Sequence, residues 1–199
     1  MKDYKVISWR ISVSASVMSL LAFFLYNSKI VSGNSQPNLG SWLVWSFVTI
    51  LNFTSYRSMT GSWSKSLLPI VNSLACILTS CILMVKGYRL VFLGIIDQWC
   101  LGLGLIASLC WWMLKRKNYA EMIVQIILEI ALTIGAIPTL VSVWHVSTHE
   151  PWFPWCLWAI SYAIQIYVVS MSWRGKLIDF LYPVNMLFFH GLISVLALL

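Results

Sequence analysis

The sequence predicts an all-α membrane protein, with seven transmembrane helices arranged as two parallel three-helix repeats joined by a linker helix. Three observations carry that reading. Of 199 residues 60% are hydrophobic and 10% charged, with a mean hydropathy of +0.83, whereas a soluble domain carries roughly a quarter charged residues. Seven apolar runs follow one another at lengths near the ~20 residues that a spanning helix needs. A shift of 113 residues also lays the first part of the chain over the last. The composition excludes a soluble globular domain and a disordered chain. Seven helices consume about 140 residues, so function has to be performed inside or across the bilayer.

The runs fall at about 11–31, 41–57, 67–85, 90–113, 120–144, 153–171 and 177–198. The second is the shortest, and Pro37, Gly40, Gly61, Gly87 and Gly175 punctuate the connections. The first run follows a basic start but has no clear small-residue cleavage site, and is read as a retained helix. Lys and Arg set the orientation. With the N-terminus inside, the inner segments hold Lys2, Lys5, Arg10, Arg57, Lys65, Lys115, Arg116, Lys117, Arg174 and Lys176, and the outer ones Lys29, Lys86 and Arg89. That bias predicts a cytoplasmic N-terminus and an outer C-terminus in a cell (inner or plasma) membrane. The net charge of +7 is thus spent at helix ends and does not form a nucleic-acid-binding face. Five cysteines lie in apolar runs without CxxC spacing and read as small buried apolar residues, with no disulfide and no metal.

The shift of 113 places SWLVW (41–45) on PWCLW (154–158). It pairs Trp42 with Trp155, Trp45 with Trp158, Asn52 with Gln165, and Val71-Asn72 with Val184-Asn185; Pro69 and Pro183 fall one residue out of register. Three helices per repeat with one linking helix keep both triplets in the same orientation, a parallel repeat. The units are 1–86, a linker helix over 87–117, and 118–199. This plan, with LLPIVNSL around Asn72, LYPVNMLFFHG around Asn185 and GAIPTLVSVW around Pro138, resembles the SWEET / PQ-loop superfamily, which includes the sugar-transporting SWEETs and the vitamin-transporting PnuC proteins. The resemblance implies that Asn72 and Asn185, on the third helix of each triplet, line a substrate pocket. It also implies that prolines act as hinges, here Pro138 together with Pro69 and Pro183. The chain departs from the SWEET pattern in lacking a Pro-Gln dipeptide, in having no proline on its first helix and in its inverted charge bias. The inverted bias and the Trp-rich second helices look more like the PnuC branch.

At 100° per residue Trp42, Trp45 and Asn52 form one stripe about 80° wide, and Trp155, Trp158 and Gln165 repeat the spacing. Ten residues at about 1.5 Å each carry the amide about 15 Å below the first tryptophan, near the midplane. Two readings stand. The rings wall a shared cavity in which the amides read a solute's hydroxyls or carbonyls, or the tryptophans form an interfacial belt and the amides tie helices together. Asn72 and Asn185 each follow a proline that frees a backbone carbonyl, a setting common in transport sites; interhelical hydrogen bonding is the alternative. Glu129, with Gln125 one turn earlier on the same face, is either a proton carrier or the partner of His190 or of an amide. Asp97, about seven residues into helix four, and His190, well inside helix seven, are further candidates for proton coupling; Asp97 is also close enough to the outer face to reach water or Arg89. Asp179 is expected to balance Lys176 or the helix dipole. His145, His149 and Glu150 are expected in an exposed polar loop and do not make a zinc site, and Trp111-Trp112 read as an interface anchor.

The function expected is a membrane transporter or facilitator for a small uncharged polar solute (a sugar, nucleoside or vitamin-like molecule). Its partners are the lipid bilayer and that small-molecule substrate, with no cofactor and no nucleic acid; a homo-oligomer is compatible with the reading. The alternative is a membrane-embedded binding or assembly protein, a lipid or cargo receptor, on the same scaffold. No GxSG, HExxH or paired-Asp motif is present to make an intramembrane protease, and no enzyme is expected.

Overall fold

The computed structural model describes residues 2–35, 37, 39–88, 94–114, 120–173 and 175–199. Among these the chain is helical throughout, with no strand. The helices are α1 (Lys2–Val31), α2 (Leu39–Thr60), α3 (Trp63–Val85), α4 (Ile95–Leu114), α5 (Ala120–His145), α6 (Trp152–Met171) and α7 (Leu181–Leu198). A 3-10 turn at Ser147–His149 precedes α6, and another at Leu177–Phe180 leads into α7. All except α2 are long and apolar enough to cross a membrane, the last counted with its 3-10 turn. α2 has the length but carries Ser41, Ser46, Thr49, Asn52, Thr54, Ser55, Arg57 and Ser58. Its core-side polar groups face the bundle, where Ser46, Asn52 and Ser55 are buried.

The helix ends follow local chemistry. α2 stops at Gly61, whose positive φ of 62° suits a residue without Cβ and whose N–H donates to the Arg57 carbonyl at 3.0 Å. Ser62 then caps α3, its hydroxyl accepting from the Lys65 N–H at 3.5 Å. α3 closes the same way at Gly87, φ 80°. Along the helices, hydroxyls bond back to the carbonyl four residues earlier, as at Ser16, Ser46, Thr49 and Thr79. That is how a hydroxyl-rich helix satisfies itself where water is absent. The first helix starts nine residues before the sequence expectation, and α4 begins at Ile95, with 89–93 outside the described residues. Arg89, Lys115, Arg116, Lys117 and Arg174, five of the orienting charges, also lie outside them.

Packing in the two halves has a common form. α3 packs against both α1 and α2, and α7 packs against both α5 and α6. Across the halves, α1 lies on α6 and α2 on α5, while α4 packs on α5 and α2. Outward faces are greasy: Phe24, Leu78, Leu105, Trp112 and Ile130 are all exposed, an apolar surface that only lipid or another membrane protein can cover.

Two glycines let helices approach α2. A Cβ built on Gly104 would sit 2.9 Å from the Phe47 ring, and one on Gly135 2.8 Å from Trp45 Nε1 and 3.4 Å from Cys100 Sγ. Phe47 is half-buried and can give way. Trp45 is held by its N–H bond to the Gly135 carbonyl at 3.2 Å and by rings on either side, Trp42 and Trp155, at 5.5 and 6.3 Å. Gly135→Ala is therefore expected to cost about 1–3 kcal/mol through overpacking, and Gly104→Ala less. Thermal unfolding of both variants in detergent checks the order.

Candidate functional site

A cavity of about 50 Å³ lies at the centre of the bundle, enough for a few water molecules. Its wall takes Phe23 from α1, Trp42, Trp45 and Thr49 from α2, Asn72 and Cys76 from α3, Leu132 and Ala136 from α5, Trp155, Trp158 and Tyr162 from α6, and His190 with its neighbours from α7. Six helices contribute and α4 does not. The rings contact one another: Phe23 lies 4.7 Å from Trp158, Trp155 5.0 Å from Trp158, and His190 5.3, 5.7 and 5.1 Å from Trp155, Trp158 and Tyr162. The tryptophans of both stripes are thus interior groups and do not form a lipid-facing belt.

A polar thread crosses this wall between the two halves. Ser19 Oγ donates to Asn72 Oδ1 at 2.5 Å, Asn72 Nδ2 donates to the Tyr162 hydroxyl at 2.5 Å, and Tyr162 and Tyr182 share a hydrogen bond at 2.8 Å. Two polar groups on the wall have nitrogens with no hydrogen bond among the described residues. The Trp158 indole N–H is buried without a partner among the described residues. His190 Nδ1 lies 2.7 Å from the Met186 carbonyl; a carbonyl only accepts, so Nδ1 carries the proton and Nε2 of the neutral ring is an acceptor. One donor and one acceptor between flat apolar walls can hold an uncharged polar molecule.

Of the residues the sequence singles out for substrate, Asn72, Trp45 and Trp158 line the cavity, while Asn185, Asn52 and Gln165 lie outside its wall. Asn185 accepts from Thr133 Oγ1 at 3.2 Å and donates to Glu129 Oε2 at 2.8 Å, and so ties α7 to α5 much as Asn72 ties α3 to α1. Gln125 spends its amide nitrogen on Asn52 Oδ1 and Glu129 Oε1, at 2.5 and 2.6 Å. Gln165 answers for a proline. Pro69 cannot hydrogen-bond to the carbonyl four residues earlier, that of Lys65, and Gln165 Nε2 donates to it at 2.5 Å. Pro183 leaves the Asp179 carbonyl in the same position, and the Tyr56 hydroxyl donates to it at 2.6 Å. Pro183 itself sits in the first turn of α7, where a missing N–H is tolerated; Pro138 lies inside α5.

Lys65 and Asp179, whose carbonyls are freed, are also joined by their side chains. Lys65 Nζ lies 2.6 Å from Asp179 Oδ2, with both side chains no more than 4% exposed. Asp179 therefore pairs with Lys65, not with Lys176 as its sequence neighbourhood implies, and the Lys65 charge is buried inside the bundle. One residue comes from the start of α3 and the other from the turn before α7. The pair thus clamps the two halves together at the end of the bundle where α1 begins.

The chain matches no family model, no curated protein and no solved structure. What the site does has to be read from its geometry.

At the opposite end lies a larger chamber of about 230 Å³, lined by Tyr26, Pro37, Ser41, Trp42, Trp45, Pro138, Thr139, Ser142, Glu150 and Trp155. Trp42, Trp45 and Trp155 belong to both chambers and form the partition between them. Glu150, expected in an exposed polar loop, turns inward here: its oxygens accept from the Tyr26 hydroxyl at 3.2 Å and the Trp155 indole at 3.0 Å. Burial pushes its carboxyl up to about 7, against the pull of the Trp155 and Tyr26 hydrogen bonds. Asp97 stands on the third residue of α4, not seven residues in; it is buried and accepts from Ser41 Oγ at 3.0 Å. His145 ends α5 exposed, and the His149 side chain lies outside the described residues. Among the described residues no group of three His, Cys, Asp or Glu could hold a metal.

Sequence reasoning did not single out Tyr26, Tyr56, Tyr162, Tyr182 or the inward turn of Glu150. One signal was available for the clamp. Lys65 and Asp179 each stand four residues before a proline, Pro69 and Pro183, and carry opposite charge.

Proposed function

We propose that the chain is a membrane transporter or facilitator for a small uncharged polar solute, a sugar, nucleoside or vitamin-like molecule, working by alternating access of two triple-helix bundles. The observation that carries the reading is the central cavity. It is walled by α1, α2, α3, α5, α6 and α7 and by no residue of α4, which is the arrangement expected if α4 only links two triplets that move against each other. The matched packing supports the repeat, because exchanging the triplets turns the α1–α6 contact into the α5–α2 contact. In this reading the SWEET / PQ-loop resemblance stands, the N-terminus is cytoplasmic, and the chain is no enzyme. The Lys65–Asp179 pair is the inner latch and the tryptophan partition the outer one. With both shut, the cavity is contracted around the space where the solute binds.

The test is uptake of radiolabelled sugars, nucleosides and vitamins into proteoliposomes. One class is expected to enter above empty vesicles. Asn72→Ala, which takes from Ser19 its acceptor and leaves Tyr162 bonded to Tyr182 alone, is expected to cut that uptake at least tenfold. Trp158→Phe keeps the ring but removes the unpaired N–H, and is expected to raise KM more than it lowers the maximal rate. Uptake of none of the three classes by folded protein, with a fixed partner always co-purifying, would replace transport with the assembly reading.

A further inference from the structure

The second chamber has a chemistry that the central cavity lacks. The central wall holds no carboxylate and no cation, whereas the chamber around Glu150 holds a carboxylate set among Tyr26, Trp42, Trp45 and Trp155. Each Glu150 oxygen accepts one hydrogen bond from the protein, and a carboxylate has about four lone-pair sites, so acceptor capacity remains. The only ion pair among the described residues is Lys65–Asp179 at the other end of the bundle. Neither Glu150 nor Asp97, which reaches the chamber wall through Ser41, therefore has a described cation upon it. The hydroxyls of Ser41 and Thr139 also lie on the wall and can accept. Lining that is rich in acceptors, has a carboxylate without a counter-ion among the described residues and is flanked by electron-rich rings matches a positively charged guest.

We propose that this chamber is a binding site for a small organic cation, a protonated amine carrying a flat or apolar body, held by Glu150 and seated against the Trp42–Trp45–Trp155 partition. The ammonium takes the free lone pairs of the carboxylate and the apolar body lies on the rings. Trp155 donates to Glu150 and also forms part of the partition, so an occupied site bears directly on the wall between the two chambers. The site does not depend on transport and is tested by equilibrium binding.

The probe is benzylammonium, with benzyl alcohol as its neutral isostere, titrated by calorimetry into the full chain in detergent at constant ionic strength. Saturable benzylammonium binding is expected, with benzyl alcohol at least tenfold weaker and Glu150→Gln losing at least tenfold in affinity. The pH dependence has a definite sign. Glu150 attracts a cation only when ionised, so affinity rises as pH climbs from 5.5 to 8, through the carboxyl's value near 7. Tyr26 is the other titratable group on the chamber wall; Asp97 lies behind Ser41, and Lys29 and His145 are exposed at this end. A His145→Gln/His149→Gln double variant is expected to keep the slope. Should Glu150→Gln not fold, Thr139→Phe, which fills the chamber without touching the carboxylate, is expected to abolish binding. Equal affinity for the amine and the alcohol, no binding of the amine to folded wild-type protein, undiminished binding in Glu150→Gln, or undiminished binding in Thr139→Phe overturns the proposal.

Discussion

Asp179→Asn is expected to destabilise the folded chain by about 3–5 kcal/mol, the usual result of leaving one member of a buried ion pair without its counter-charge. Lys65 Nζ would lose its partner at 2.6 Å in surroundings where both side chains are almost fully covered. Lys65→Met is expected to do comparable damage by stranding the carboxylate, whose Oδ1 has no hydrogen bond among the described residues. The double variant Lys65→Met/Asp179→Leu removes both charges and fills the space, and is expected to recover most of the loss, since an apolar replacement of a buried pair is commonly neutral or stabilising. Unfolding in detergent, followed by the monodisperse fraction after heating, measures all three. Stability and activity should then part company. If the pair is the inner latch, the double variant regains most of the wild-type stability yet is altered in uptake, because the attraction that shuts one end of the cavity is gone. If it is only a staple, uptake in the double variant is normal.

The position of the pair explains its cost. Two proline-interrupted turns bring their freed carbonyls to one end of the bundle, and each carbonyl is answered from the second helix of the opposite half, by Gln165 on α6 and by Tyr56 on α2. A buried backbone carbonyl has to find a donor. Opening this end therefore requires water to replace two side-chain donors as well as to separate two charges. Under the proposed function, these coupled contacts would make the junction a two-state closure.

What the sequence carried and what it did not follow from the range of the forces involved. Helix number and most boundaries depend on apolar run length and on local breakers, so the runs at 67–85, 120–144 and 153–171 lie within a few residues of α3, α5 and α6. The inward stripe of Trp42, Trp45 and Asn52 is set by helix periodicity and was legible for the same reason. Partner choice is not local. A buried amide has several ways of being satisfied, and which one prevails depends on helices far apart in sequence. Asn72 reaches Tyr162 ninety residues away, and Gln165 turns to the backbone at Lys65 a hundred residues away. Glu150 looked like loop because its neighbours in sequence are polar. Two donors fix its direction: Tyr26, 124 residues earlier on α1, and Trp155.

Glu129→Ala is expected to be the most damaging single change within α5. Its carboxylate accepts from Gln125 Nε2 at 2.6 Å and from Asn185 Nδ2 at 2.8 Å, and Gln125 also holds Asn52 of α2. One side chain thus anchors α7 and α2 to α5, and His190 is not among its partners. Removing it leaves two donors short of an acceptor in the bundle interior, at about 1–3 kcal/mol each, so a loss of about 2–6 kcal/mol is expected in the same detergent assay. Glu129→Gln separates structure from proton transfer. A glutamine can accept through Oε1 from only one face of the network and presents a donor to the other, so part of the destabilisation remains. If Gln125 and Asn185 hold the carboxylate as a fixed acceptor, Glu129→Gln transports in proportion to its folded fraction and keeps the wild-type response to an imposed pH gradient. If Glu129 carries a proton, the folded fraction still moves solute by counterflow but no longer accumulates it against that gradient. Both amides direct N–H groups at the carboxylate, which is the geometry of a fixed acceptor, and counterflow compared with accumulation tells the two roles apart.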